Sequence, residues 1–75
     1  MKIWCENNKE ICVALTQLEK QGYTWLSGHK PTRLYISHDR MLIVADKERK
    51  KLAIGHVAKG AVMASQLYSN LLRGE

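Results

Sequence analysis

The sequence predicts one small α+β domain in the order strand, helix, three strands, helix, with the helices packed on one face of a mainly antiparallel sheet. Three observations point there. Apolar residues recur at helical spacing near each end of the chain. Between those stretches lie alternating and continuous apolar runs of strand length. The chain as a whole has 75 residues, with 18 Ile, Leu and Val and two Trp. That suffices for one modest core, and surface scaling puts about 60% of the unfolded surface inside it. A single domain over 1–75 is expected, too short for a Rossmann or TIM-barrel fold.

Lys2–Glu6 reads as a short strand, with Ile3 and Cys5 on one side and Trp4 and Glu6 on the other. Asn7 or Asn8 offers an N-cap, and Asn7 with Glu10 three residues later has the spacing of a capping box. A helix over about 8–21 follows, with Ile11, Ala14, Leu15 and Leu18 on one face and Lys9, Thr16, Gln17 and Lys20 opposite. Gly22 suits the left-handed position past its end. Residues 23–33 read as a loop containing the only Pro. In Arg33–Asp39, Leu34, Ile36 and His38 alternate with Arg33, Tyr35 and Ser37, as in a strand. Met41–Asp46 is a continuous apolar run, as a central strand would be. Lys47–Lys50 is a charged turn. Residues 51–57 alternate again, with Leu52, Ile54 and His56 sharing a face. The tail over about 58–73 reads as a helix whose apolar arc of about 140° holds Ala61, Ala64, Leu67, Tyr68, Leu71 and Leu72.

Charge is uneven. Residues 29–59 hold eight basic side chains against three acidic ones, which accounts for the whole formal charge of +5. Such a segment attracts polyanions or an acidic protein face, or serves solubility alone. Cys5 and Cys12 make no disulfide framework and read as small buried hydrophobes. No apolar run approaches the roughly 20 residues of a membrane span. Lys2, Glu6, Lys9 and Glu10 interrupt any secretory signal, so a reducing cytoplasm and no membrane association are expected.

Three constellations bear on function. The turn Asp46–Lys51 carries Lys47, Arg49, Lys50 and Lys51 at a hairpin tip, the reach that phosphate or carboxylate contact needs; a solvated turn has the same composition. The loop from Tyr23 to Lys30 sets Trp25 beside Lys30 and Arg33, which suits an anchor for a partner or base stacking, or else packing on the core edge. His38 and His56 would end two strands at one sheet edge, about 10 Å apart over two strand spacings. That is too far to share a zinc held at about 2 Å, so no metal or cofactor is expected. No nucleophile elbow, metalloprotease helix or spaced carboxylate pair is present, and the reading is not an enzyme. The predicted tail helix carries only Lys59 and Arg73 as charges on its exposed side, with Val62 there and Met63 at its flank. A face so lightly charged suits burial against a second copy, a homodimer through Val62 and Met63.

The run Gly22-Tyr23-x-Trp25-x-Ser27-Gly28, followed by Leu34-Tyr35-Ile36, resembles small uncharacterised proteins of bacteriophages and prophages. The likeness spans residues 2–45 and implies a mobile-element setting in a bacterial host rather than an activity. Together these readings give a non-catalytic phage-type binding protein, an inhibitor or accessory factor. It would occupy an acidic macromolecular surface with Trp25, Lys30, Arg33, Lys47, Arg49, Lys50 and Lys51. A nucleic-acid binder using the same residues is the alternative. A nucleotide-like small-molecule binder formed between subunits, with His38 and His56 near the ligand, is a third.

Overall fold

The computed structural model describes residues 1–32 and 40–73. Its elements are β1 (Lys2–Cys5), α1 (Asn8–Lys20), β2 (Thr24–Trp25), β3 (Met41–Asp46), β4 (Lys51–Ile54), β5 (Val62–Met63), α2 (Ala64–Leu67) and α3 (Ser69–Arg73). They form an α+β domain.

Both ends of α1 are built by the residues the sequence singles out. Asn7 is extended (φ −152°), and its side-chain oxygen accepts from the Glu10 N–H at 2.9 Å. The Glu10 carboxylate reaches back to the Glu6 N–H at 3.0 Å, one residue earlier than a standard capping box. At the far end Gly22 takes φ +91°. Its N–H donates to Glu19 O at 3.0 Å and that of Tyr23 to Leu18 O at 3.1 Å, a Schellman closure with Leu18 and Tyr23 both in the core.

The sheet runs β2-β4-β3-β1-β5. Its centre is antiparallel, with Ile3 opposite Ile43, Cys5 opposite Met41, and Ala45 opposite Leu52. Each edge strand is parallel to its neighbour: Trp25 lies against Leu52 and Val62 against Ile3. Alternation puts Ile3, Cys5, Met41, Ile43, Ala45 and Leu52 on one face. There they bury against Ile11, Ala14, Leu15 and Leu18 of α1 and against Ala64.

Leu42 is also buried (4% exposed) but belongs to the opposite face. What covers it is the crossover from β4 to β5. Gly55 N donates to Leu42 O at 2.8 Å, and the Lys2 ammonium ties down the carbonyls of Val57 (3.1 Å) and Lys59 (3.4 Å). The β1–α1–β2 crossover runs the other way across the sheet on the helix face. Reversing both direction and face preserves the hand, so the two crossovers have the same handedness.

Several expectations change. Thr24–Trp25 is strand, not loop. The strand begun at Lys51 stops at Ile54, so His56 is exposed on the crossover rather than turned inward. The helix expected over 58–73 does not begin until Ala64 and breaks at Tyr68. Gly60 sits at φ +79° in a turn closed by Ala61 N to Ala58 O at 3.0 Å. Val62 and Met63 then pair with β1 as a strand, so neither lies on a helix flank. Gly60 in the left-handed region and β-branched Val62 both disfavour helix, and ladder bonds to Ile3 complete the choice. Of the expected apolar arc, Ala64 is buried, whereas Leu67 and Leu71 are exposed. Cys5 is buried as expected, but Cys12 is exposed. The strand expected over 33–39, with Arg33 and His38, lies outside the described residues.

Candidate functional site

The basic turn joins β3 to β4. Asp46 holds it: one carboxylate oxygen accepts from Glu48 N at 3.1 Å and Arg49 N at 3.3 Å, the usual work of Asp at a turn start. Arg49 Nε lies 3.9 Å from the other oxygen, an exposed pair of little energetic weight. Lys50 closes the turn at φ 57°. Its carbonyl accepts from Thr24 N at 3.0 Å, and its ammonium lies 4.8 Å from the centroid of the Tyr23 ring. Lys51 Nζ donates to Thr24 Oγ1 at 2.9 Å. Lys50 and Lys51 are therefore docked onto the start of β2, whereas Lys47 and Arg49 project into solvent.

Trp25 is the last residue of β2. Its backbone N–H points away from β4 and donates to His29 O at 2.9 Å, while its indole N–H donates to Pro31 O at 3.1 Å. Gly28 (φ +91°) makes the return possible, with its N–H on Trp25 O at 2.8 Å. The loop thus folds back and covers the free edge of β2. Lys30 is carried towards Glu19. That carboxyl is held below its ordinary range by hydrogen bonds from the Thr32 hydroxyl (2.6 Å) and the Thr32 N–H (3.2 Å), with Lys30 adding to the effect.

Trp25 is half-buried and packs against the core. It also walls a groove of about 310 Å³ with Leu26, Ser27, Met41, Leu52, Ala53 and Ile54. Two apolar side chains stand open there, Leu26 at 71% and Ile54 at 45% exposed. Sequence reasoning missed both. A leucine in a polar loop was the available signal for Leu26. Ile54 alternates correctly onto the core face, but α1 packs on β1, two strands away from β4.

The structure therefore joins Trp25, Lys50 and Lys51 through the pairing of β2 with β4, and leaves Lys47 and Arg49 at the tip. Arg33 is outside the described residues, and Val62 and Met63 sit at the opposite edge of the sheet.

Burial pushes the Cys5 thiol up to about 12, with the Glu10 carboxylate adding to the rise, so it is no nucleophile near neutral pH. Burial likewise raises the Tyr68 hydroxyl, helped by Cys5 and Tyr23. Among the described residues no three His, Cys, Asp or Glu are grouped to hold a metal ion. No helix among them is long and apolar enough to cross a membrane. Comparison of the chain with protein-family models, with curated proteins and with solved structures finds no match.

Proposed function

We propose that this chain is a non-catalytic binding domain that occupies an acidic protein surface, as an inhibitor or accessory factor. The Trp25–Leu26–Ile54 groove would be its anchor and the Lys47–Lys51 turn its steering element. The observation that carries this is the exposure of Leu26 and Ile54 beside a half-buried indole, one residue along β2 and β4 from Lys51. An open apolar groove flanked by cations is the arrangement in which a desolvated anchor supplies affinity and rim charge supplies encounter rate. The resemblance to small phage proteins favours a protein that acts by occupying a target, and two free thiols suit a reducing cytoplasm. The same reading pairs two copies through the tail, where Val62, Leu67 and Leu71 are exposed at 38%, 41% and 46%.

The test is capture from bacterial lysate, with and without nuclease. The baits are the wild-type chain, a Leu26→Asp/Ile54→Asp variant and a Lys47→Glu/Arg49→Glu/Lys50→Glu variant. A protein retained after nuclease and lost with both variants supports the reading. Capture abolished by nuclease replaces it with the nucleic-acid reading. A partner indifferent to both variants overturns the assignment of the site.

A further inference from the structure

We propose that a second groove, on the sheet face turned away from α1, binds a purine nucleoside monophosphate, with the ring against Trp4 and the phosphate between Arg40 and His56. Alternation carries Lys2 and Trp4 of β1 and Leu42 and Val44 of β3 onto this face, with Glu6 and Arg40 just past the strand ends. Trp4 stands opposite Leu42, and Glu6 and Arg40, just beyond the paired residues, line an opening together with it. Two openings meet at the indole. One, of about 200 Å³, is lined by Trp4, Arg40, Leu42, Gly55, His56 and Ala58. The other, of about 350 Å³, is lined by Trp4, Glu6 and Arg40.

Trp4 and Arg40 belong to both openings, so one ligand can lie along the indole and reach each end. The crossover wall sits close on Leu42 at Gly55, presents the small Ala58 to the groove, and is kept in place by the Lys2 ammonium on the Val57 and Lys59 carbonyls. That leaves His56 aimed along a braced segment rather than a loose loop.

The groove presents a half-buried indole for stacking, a planar guanidinium fork for an oxyanion, and an imidazole as a further donor. Neither the Arg40 guanidinium nor the His56 ring has a hydrogen-bond or ion-pair partner among the described residues. Planar aromatic plus anion is the ligand chemistry these three groups recognise together. Glu6 at the far end sets the orientation. It repels the phosphate towards His56 and can accept from an exocyclic amine of the base. Met41 and Ile54 line both this groove and the Trp25 groove, whereas Trp4, Arg40 and His56 line this one alone, so variants at those three test it without touching the Trp25 anchor.

Calorimetric titration with adenosine monophosphate, adenosine and inorganic phosphate tests this on the wild-type chain. The monophosphate is expected to bind at least tenfold more tightly than adenosine, and phosphate alone not measurably. Arg40→Ala and His56→Ala alter exposed side chains, and each should weaken the monophosphate at least fivefold without changing the far-ultraviolet circular dichroism. Trp4→Leu should abolish binding of both nucleoside forms. Equal affinity for nucleoside and monophosphate, indifference to Arg40→Ala and His56→Ala, or no heat at millimolar ligand would each overturn the proposal.

Discussion

Gly55 and Leu42 meet on the open face of the sheet so closely that position 55 has no room for a side chain. The Gly55 N–H donates to Leu42 O at 2.8 Å. A methyl group there would stand 2.9 Å from Leu42 Cδ2 and 2.7 Å from Val44 Cγ2. Leu42 is buried and Val44 is stiff at χ1, so neither can swing away freely. Gly55→Ala should therefore destabilise the domain by about 1–2 kcal/mol, the overpacking cost outweighing the entropy lost from the unfolded chain. Urea unfolding measures it, and a gain in stability would show that the crossover is not seated on Leu42.

Helix capping separates the two asparagines that the sequence offers as N-caps, in favour of the one with the capping-box spacing. Asn7→Ala should cost about 1 kcal/mol, because its side chain alone satisfies Glu10 N. Asn8→Ala, already inside α1, should change stability by a few tenths at most. Equal effects in thermal melts would place the cap elsewhere.

The two thiols should differ in kind. Cys12 is exposed and should react with a thiol reagent at neutral pH in the native protein. Cys5 should react only on unfolding, since it is fully buried and its thiol is raised to about 12. Two thiols titrating together in the folded chain would contradict the packing of β1 on α1.

Alkaline pH should unfold the domain through the same thiol. Its folded value lies above the ordinary 9.0, so its contribution is complete below pH 9 and falls away between 9 and about 12 as the unfolded chain loses its proton first. Tyr68, raised in the same sense, acts in the upper part of that window. Cys5→Ala should be less stable at pH 7 yet show a shallower decline from pH 9 to 11. An unchanged slope would mean that the Cys5 site admits water.

Self-association tests the tail. Equilibrium sedimentation should give about twice the 8.6 kDa chain mass, and Leu71→Glu should halve it. A wild-type monomer at tens of micromolar would remove the dimer.

Much of the local structure was legible in the chain. Asn7 and Glu10, the 11/14/15/18 stripe, Gly22 and the run Met41–Asp46 each carry their reason within a few residues, through capping, helical period, positive φ or continuous burial. The candidate site was legible in part. Trp25 and the basic turn stand out by composition, but their meeting does not, because Thr24 and Lys51 are joined by a parallel pairing across 27 positions. Leu26 and Ile54 were hidden for a related reason. Whether an apolar side chain is covered depends on where α1 lies, and no local pattern encodes that.

The sequence by itself determined the α+β class, the first helix with both its ends, and the central antiparallel strands, since each follows from short-range periodicity and backbone preference. Only the tertiary structure decided the edges. The helical reading puts Ala61 on the apolar arc, Val62 on the exposed side and Met63 at the flank; Gly60 at φ +79° and the ladder from Val62 to Ile3 settled them as a turn and β5. Thr24–Trp25 became β2 because the Lys50 and Leu52 carbonyls were there to receive the amides of Thr24 and Leu26 on either side of Trp25. Two-residue strands have no period of their own, and they exist only where a neighbouring strand supplies the hydrogen bonds.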